Sequence, residues 1–559
     1  MKLSLSGIGA EIQRILYDYV QAESITNSPG EREAEEFFLR FFRGQPYWQA
    51  HPEDVGKRPI PGDPHGRSAV FAMVRGGGPD TVAFVHHSDV VTVEDFKLLK
   101  PLAFSPEALE KKLKKLRHTL SPEARKDIDS GAWLFGRGVC DMKGGGAVQM
   151  ALLARYGELV LSDPAALPGT LIVLAVPDEE NLSAGMCAAI PLLRELKAQY
   201  GLRYRLMINS EPHQRREAAK GVFSLGSVGK LMPFVYVRGS LSHAGKVFEG
   251  FNPAGVMGEI VRRTELNMDL SDAVGQEASP PPTWLYLRDR KIQYDVSMPL
   301  SVAGCLSVLT LHQTPAEVLS KIRDICQESF DAVVRRMNSS WYSFQDATGR
   351  RPRPLPWRTK VTDFATLYAE ASASHGEDFQ RAYEGEIRHL SEENGAGRLS
   401  LLECSLQLVD FVYDYVDDLS PRVVYGLIPP YYPNVSNLFF PRLSPEIRDI
   451  GESLGAFTKE TFDQEYISEY FFTGISDLSY TSIEDSGEIV NALKRSMPLF
   501  EKLYHIPVAD IEAVSMPCIN IGPWGKDFHK LTERVLKEDI YERTPQIIQR
   551  AVEIVLGME

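Results

Sequence analysis

Seven histidine and acidic residues are candidates for chemistry, because most of them follow apolar stretches of the chain. They are His87, Asp89, Asp141, Glu179, Glu180, Glu211 and His529. Imidazole nitrogens and carboxylate oxygens form a ligand set that suits Zn²⁺, with Co²⁺ or Mn²⁺ as substitutes. Two such ions about 3.5–4 Å apart can hold a water molecule, lower its pKa and polarise a carbonyl group. The seven residues therefore predict a two-metal site that activates water.

Asp141 stands at the centre of a glycine-rich stretch, GRGVCDMKGGG, at residues 136–146. An apolar run precedes the stretch, and a helix-like segment, AVQMALLARY, follows it. This order places a carboxylate where a strand gives way to a turn, which is the edge at which open α/β sheets gather reactive groups. Both oxygens of Asp141 can then face one cavity, as a ligand that bridges two cations requires. Asp89 lies two residues after His87, where it can orient the imidazole.

The elements that position these residues are strands that alternate with helices. Residues 8–43 predict two helices. Apolar strands are predicted at Ser68–Arg75, Thr81–His86, Gly169–Val176 and Tyr204–Asn209, and acidic or histidine residues follow the last three. The alternation predicts an α/β domain with a mostly parallel sheet and helices on both faces. Two polar helical insertions are predicted, at 94–130 and 361–417.

The pattern changes near Gly226, after which a β-α-β-α sequence has no acidic strand ends. Residues 228–359 therefore predict a smaller inserted α+β domain, and the Pro/Arg-rich stretch RRPRPLPWR would be its return linker. The larger domain would be discontinuous, with residues 1–227 and 360–559.

Composition limits the classes of partner. The formal net charge of −14 argues against a nucleic-acid partner, which usually needs a basic face. Six scattered cysteines without a paired spacing predict reduced thiols and a cytoplasmic location. The first residues predict an amphipathic helix rather than a signal peptide, and no apolar run reaches the roughly 18 residues of a membrane span.

Taken together, the motifs HHSDVV, GRGVCDMKGG, VPDEEN, SEP, LSHAGKVFEGFNPA and GPWGKDFHKLTE resemble the dinuclear zinc peptidase and deacylase family. That family includes acetylornithine deacetylase, succinyl-diaminopimelate desuccinylase, aminoacylase and glutamate carboxypeptidase. The motifs occur in family order across nearly the whole chain. The length and the helical insertions look most like the arginine-utilization (RocB) branch. The resemblance implies cleavage of an amide bond in an N-acylated amino acid or a short peptide.

The resemblance also implies a role for each candidate metal ligand. His87 and Glu211 would bind one Zn²⁺, Asp141 would bridge both ions, and Glu180 and His529 would complete the second site. Glu179 would be the general base, since a carboxylate tied to a metal cannot also take a proton from the water.

Two further residues are implied by the resemblance outside this set. His243, on the inserted lid or dimerisation domain, would donate to the tetrahedral oxyanion. In dimeric relatives this histidine comes from the partner subunit, so a homodimer is implied. Gly474–Asp477, with Ser476, resembles a family substrate loop.

Several alternatives remain open at this stage. The family usually has glycine where this chain has His86, so His86 and His87 compete for the ligand role; the His-x-Asp spacing favours His87. Relatives with aspartate at the position of Glu211 are usually aminopeptidases, so Glu211 favours a deacylase or carboxypeptidase over an aminopeptidase or dipeptidase. A binding protein that kept the fold without catalysis is the other alternative, but all the ligand and base positions are filled here.

Overall fold

Apolar strands that lead into acidic or histidine residues form the centre of the main sheet of the computed structural model, which describes residues 3–215 and 217–558. In spatial order the eight strands are Val55–Pro59, Ser68–Arg75, Thr170–Val176, Asp80–His87, Arg203–Asn209, Cys518–Asn520, Lys220–Ser224 and Glu465–Glu469. The third to sixth strands run parallel, as do the last two, and the other neighbours are antiparallel. The predicted α/β class is confirmed, with a mixed sheet whose centre is parallel.

Helices cover both faces of this sheet, because alternate residues of its strands are buried on opposite sides. Leu171 and Val173 belong to a core shared with helices Lys143–Ser162 and Thr544–Leu556. Ile172 and Leu174 are buried on the other face, where helix Ala184–Tyr200 contacts their strand. The other α-helices of this unit are Ile8–Val20, Glu31–Arg43, Pro46–Ala50, Pro106–Lys115, Pro122–Ser130, Pro445–Arg448, Ile450–Phe462 and Val508–Val514.

Contacts divide the chain into two compact units. The first comprises the chain up to Val228, then Pro433–Ile483, then the chain from Pro507. The second comprises Gly229–Tyr432 and Glu484–Ile506, and its sheet contains Thr283–Asp289, Ser301–Thr310, Pro233–Arg238, Arg422–Leu427, Val361–Asp363 and Gly229–Leu231. Its helices are Pro253–Thr264, Pro315–Ala347, Phe364–Gly395, Leu401–Tyr413 and Ser486–Ser496.

The second unit is therefore larger than the predicted insertion of 228–359, although it starts within one residue of it. Strand Arg422–Leu427 pairs along its whole length with Pro233–Arg238, which ties the later segment to the second sheet. The helical insertion 361–417 stays in this unit because Tyr413 stacks on Tyr236, with ring centroids 5.3 Å apart. The sequence did not indicate this pairing, because strand Val361–Asp363 has only three residues and Arg422–Leu427 is separated from Pro233–Arg238 by more than 180 positions.

The Lys-rich insertion 94–130 forms helices Pro106–Lys115 and Pro122–Ser130. It has a small core of its own, to which Phe96, Leu109, Leu113, Ile128 and Phe135 contribute. The lysines of the first helix are exposed, as a solvated face requires. Among the described residues, no helix combines the length and the apolar character that crossing a bilayer needs. All six cysteines are free.

A buried acid makes the stability of this fold depend on pH. The Glu35 carboxylate accepts a hydrogen bond from the Ser68 backbone N–H at 2.5 Å, and burial raises its pKa to about 7 from an ordinary value of 4.5. The folded chain then holds this proton more tightly than the unfolded chain, so the contribution of Glu35 is complete below about pH 4.5 and is lost as the pH rises through 7.

We expect Glu35→Gln to remove this dependence and to stabilise the metal-free chain at pH 8 by on the order of 2 kcal/mol, with little change at pH 4.5. Chemical unfolding at the two pH values measures the difference. Glu36→Gln, on the exposed neighbour, is the control. Equal effects of Glu35→Gln at both pH values would contradict the assignment.

Candidate metal centre

The carboxyl ends of three neighbouring parallel strands bring the first candidates to one edge of the sheet. His87 is the last residue of strand Asp80–His87 and stands opposite Val176, after which the chain turns to Glu179 and Glu180. On the other side, Val85 stands opposite Asn209, which precedes Glu211 by two residues. These positions lie where parallel sheets gather ligands.

Asp141 and His529 reach the same place from a small three-stranded sheet. Its strands are Gly525–Lys526, Arg534–Leu536 and Trp133–Phe135. Asp141 follows the turn after the last of these strands, and His529 lies in the loop between the first two, with a left-handed φ of 62°. The apolar run before Asp141 was predicted as a strand, and Trp133–Phe135 is one, but it belongs to this small sheet and not to the main one. The other two strands have only two or three residues, so the sequence pattern did not reveal them.

The two oxygens of Asp141 face two different imidazoles. Oδ1 lies 3.1 Å from His87 Nε2, and Oδ2 lies 3.1 Å from His529 Nε2. Glu211 Oε1 lies 3.5 Å from His87 Nε2, and Glu180 Oε1 lies 2.9 Å from His529 Nε2. The predicted ligands therefore fall into two groups that share Asp141, the grouping that a pair of ions with a bridging carboxylate requires.

The surroundings of His87 fit a cation beside its Nε2. Its Nδ1 lies 3.0 Å from the Asp89 backbone oxygen, so the neutral ring carries its proton on Nδ1. The Nε2 lone pair then points at the carboxylates of Asp141 and Glu211, which is favourable only with a positive charge between them. Burial opposes protonation of the ring, but Glu211, Asp141 and Asp89 raise the pKa of His87 well above its ordinary value. A metal ion is the other way to supply the charge.

The same cluster of charges shifts the pKa values of the other candidate ligands and of Glu179. Burial works to raise the pKa of Asp141, but the two imidazoles hold it below its usual range. Hydrogen bonds with Asp141 and Glu180 raise the pKa of His529 to about 10. Burial raises the pKa of Glu180, and it raises the pKa of Glu179 and Glu211 well above ordinary values. Such a buried excess of carboxyl groups is typical of a site that binds cations.

Asp89 does more than orient His87, which it contacts mainly through its backbone oxygen. Its carboxylate accepts the backbone N–H of Glu179 at 3.1 Å, the backbone N–H of Glu180 at 3.2 Å and the Thr26 hydroxyl at 2.9 Å. The predicted orienting residue therefore also fixes the backbone of the acidic pair.

The structure separates His86 from His87, because consecutive strand residues point to opposite faces. His86 is fully buried, and its ring lies 2.9 Å from the Gln149 oxygen and 3.2 Å from the Tyr19 hydroxyl. Desolvation lowers the pKa of His86 to about 4. His87, not His86, belongs to the group of candidate ligands that we call the ligand cluster: His87, Asp141, Glu180, Glu211 and His529.

The triple glycine of the central motif allows the helix after Asp141 to start against the strand ends. A Cβ atom on Gly145 would lie 2.2 Å from the Ser210 carbonyl oxygen, and one on Gly146 would lie 2.5 Å from the His86 ring. Glycine is needed here for close approach, which keeps Asp141 next to the carboxyl edge of the sheet.

Ser476 does not fit its predicted role as a substrate contact. It is fully buried, and its hydroxyl accepts hydrogen bonds from the Asn209 side chain at 2.8 Å and the Leu478 backbone N–H at 3.3 Å. Ser476 therefore caps the short helix Asp477–Tyr480. The next residue, Asp477, was named only as the end of the predicted substrate loop; it is a buried acid, and burial raises its pKa to about 7.

His243 belongs to the second unit, where its side chain is exposed. Its Nδ1 accepts the backbone N–H of Gly245 at 3.0 Å. The neutral ring therefore carries its proton on Nε2, where it is available for donation.

Glu533 is a second residue that the sequence did not single out, although it ends the motif that contains His529. Its Oε1 accepts the backbone N–H of Gly138 at 2.8 Å and those of Cys140 and Asp141 at 3.4 Å each. Its other oxygen accepts from Arg137 at 2.6 Å. The turn that carries Asp141 thus wraps around a carboxylate from the segment that carries His529.

We expect Glu533→Ala to destabilise the first unit by about 3–5 kcal/mol, since it leaves buried N–H groups and a buried guanidinium with fewer acceptors. Glu533→Gln keeps one acceptor oxygen for the backbone and should cost clearly less. Chemical unfolding of the metal-free variants, followed by tryptophan fluorescence, provides the measurement. Similar small losses for both variants would show that the turn does not depend on this carboxylate.

His51, Glu53 and Asp54 form a second group whose potential ligand atoms lie close together. Here Arg75 donates to Glu53 at 2.7 Å and to Asp54 at 2.8 Å. A guanidinium already balances these carboxylates, so we assign no metal to this group.

Comparisons of sequence and of fold both find relatives of this chain. The family model described as Peptidase family M20/M25/M40 matches residues 108–553. Two similar proteins of Bacillus subtilis (strain 168) are Protein RocB, 28% identical with 98% of this chain and 95% of that protein covered, and Uncharacterized protein YqjN, 29% identical with 98% and 96% covered. The structure of an M20 family metallo-carboxypeptidase, Sso-CP2 from Sulfolobus solfataricus, has a similar fold, with a TM-score of 0.53, 11% identity and 98% of each chain covered.

Proposed function

Because the chain belongs to peptidase family M20/M25/M40, we propose that it is a metal-dependent hydrolase that cleaves the amide bond of an N-acylated amino acid or a short peptide. The observation that carries the proposal is the position of Asp141, whose two oxygens each face a different imidazole at 3.1 Å. An acid shared between two ligand groups serves little purpose in a purely structural site.

Two Zn²⁺ ions fit the donor atoms of this site best. His87 and Glu211 would hold one ion, Glu180 and His529 would hold the other, and Asp141 would bridge them. Two imidazoles and three carboxylates also suit Co²⁺ or Mn²⁺, which we expect to substitute. When bound, the ions act as Lewis acids that polarise the scissile carbonyl and lower the pKa of the attacking water.

Glu179 is the proposed general base. Its side chain is buried beside the ligand cluster, and Asp89 holds its backbone N–H in place. Burial raises the pKa of Glu179 well above that of a free glutamate, which makes the carboxylate a better proton acceptor. Glu179 would take a proton from the attacking water and deliver it to the departing amine. No second residue is then needed to carry this proton.

His243 is the proposed donor to the developing oxyanion. Its proton lies on Nε2, because Nδ1 accepts from Gly245. A neutral imidazole with a free N–H can stabilise negative charge on the former carbonyl oxygen. The family resemblance favours delivery of this group from a partner subunit, so we propose a homodimer.

Glu211 is the main support for the proposed substrate class. In the family, glutamate at this position favours deacylases and carboxypeptidases over aminopeptidases. The similarity to RocB, which the sequence motifs also indicate, makes N-acylated arginine the first substrate to examine.

Metal content and amide hydrolysis, measured on the same preparation, test the proposal. Elemental analysis should find about two zinc ions per chain. A panel of N-acyl amino acids, N-carbamoyl arginine, dipeptides and tripeptides should show turnover that a chelator abolishes and zinc restores. Preference for free amino termini would favour an aminopeptidase instead. No metal and no turnover after zinc or cobalt is added would leave a binding protein that kept the fold.

A further inference from the structure

The turn that carries Glu179 and Glu180 has an unusual backbone. Asp178 has a φ of 71° and Ser183 a φ of 49°, and both are left-handed conformations that residues other than glycine rarely adopt. Each is strained and persists only when its surroundings enforce it. The contacts that enforce this turn therefore bear on the direction of both acidic side chains.

Arg67 lies at the centre of those contacts, just before strand Ser68–Arg75. Its Nη1 donates to Asp178 Oδ1 at 2.7 Å and to Glu31 Oε1 at 2.6 Å. Its Nε and Nη2 donate to Asp63 at 3.0 and 2.6 Å. All four side chains are at least 96% buried. These contacts form one closed network, which we call the Arg67 cluster: Glu31, Asp63, Arg67 and Asp178.

The Arg67 cluster holds the backbone of the turn as well as its first side chain. Glu31 uses its second oxygen to accept the Asp178 backbone N–H at 2.8 Å. Asp178 in turn accepts the Ala184 backbone N–H at 3.3 Å with its carboxylate, and its carbonyl oxygen accepts the Ser183 N–H at 2.7 Å. On the opposite side, Asp89 accepts the N–H groups of Glu179 and Glu180. The backbone of Glu179 and Glu180 is thus held by the Arg67 cluster on one side and by Asp89 on the other.

We propose that Arg67 is a positioning residue for the proposed hydrolase, which fixes the Asp178–Ser183 turn so that Glu179 and Glu180 keep their separate directions. This inference rests on the proposed function for its catalytic part only. Glu31, Asp63 and Arg67 precede the part of the chain that the family model matches, residues 108–553. Residues 31–67 would then contribute to catalysis without contacting substrate or metal, in contrast to His87, which also precedes residue 108.

The geometry requires arginine rather than positive charge alone. A planar guanidinium can serve three carboxylates in fixed directions at once, whereas an ammonium group is a compact charge on a flexible stem. Arg67→Lys therefore keeps the charge balance of the cluster and removes its directional contacts. Arg75→Lys is the matched control, since Arg75 ends the same strand and binds Glu53 and Asp54.

Hydrogen–deuterium exchange of the metal-free protein is the first measurement, because it needs no activity. We expect Arg67→Lys to speed exchange of the amides of residues 178–183 by about 10- to 100-fold, since their acceptors lose a charged anchor. Arg75→Lys should leave that segment unchanged. In the zinc-loaded protein, Arg67→Lys should lower kcat by about 10- to 100-fold with KM and metal content retained, as expected for a displaced base.

Unchanged exchange in residues 178–183 of Arg67→Lys would overturn the inference, whatever the activity of the wild type. Faster exchange with unchanged kcat would reduce Arg67 to a structural role. A wild type without turnover would refute the proposed function instead, and the exchange result would still decide the positioning claim. If Arg67→Lys fails to fold, Glu31→Gln carries the same test, because it removes one anion and keeps the size of the side chain.

Discussion

Asp141→Asn is expected to lower metal content from about two ions per chain to one or none and to reduce turnover by roughly 10³-fold or more. The amide keeps the shape of the side chain, but its nitrogen cannot face a second cation. Because Asp141 is shared by both ligand groups, one substitution weakens both sites at once. Elemental analysis after dialysis, together with steady-state kinetics at saturating zinc, measures the two effects.

Asp163→Asn, at a helix end remote from the ligand cluster, is the control and should behave like the wild type. Two tightly held ions and full turnover in Asp141→Asn would contradict the bridging role. Loss of one ion with turnover near that of the wild type would show that Asp141 serves only one of the two ligand groups.

Glu179→Gln is expected to lower kcat by about 10²- to 10⁴-fold while the protein keeps two ions and a similar KM. Glutamine preserves the size of the side chain, and the backbone contact with Asp89 does not depend on the carboxylate. The loss should therefore report proton transfer alone. Kinetics at saturating metal, with elemental analysis of the same sample, separates the chemical step from metal binding.

The neighbouring acid offers a sharp comparison. Glu180→Gln should lose metal first and activity as a consequence, and added zinc should restore part of the turnover. The reverse pattern, with metal lost in Glu179→Gln and retained in Glu180→Gln, would show that Glu179 is the ligand and Glu180 the base.

The parallel centre of the sheet explains why much of the candidate site could be predicted from the sequence. His87 ends one strand, Glu179 and Glu211 closely follow its two neighbours, and the carboxyl ends of such strands meet at one edge. The period of two also explains the separation of His86 from His87, once the strand is known to continue to His87. These positions could be predicted because the strands that precede them are apolar and long enough to recognise in the sequence.

Other features depend on contacts that leave no local pattern. Strand Val361–Asp363 has three residues, and Arg422–Leu427 follows a helical segment, so the extent of the second unit was not apparent. Ser476 has the sequence context of a substrate loop but caps a helix instead. Glu533 acts by accepting backbone N–H groups nearly 400 positions earlier in the chain, which no spacing rule describes.

The order of the strands has a consequence for the synthesis of the chain. Cys518–Asn520 fills the place between Arg203–Asn209 and Lys220–Ser224, so a nascent chain leaves a gap in its main sheet until those residues emerge. At about 5–20 residues per second, roughly 15–60 s separate the emergence of the earlier strand from that of the later one. His529 emerges later still. The proposed two-metal site can therefore form only after residue 529 has emerged, and a ribosome-bound chain should bind zinc weakly until then.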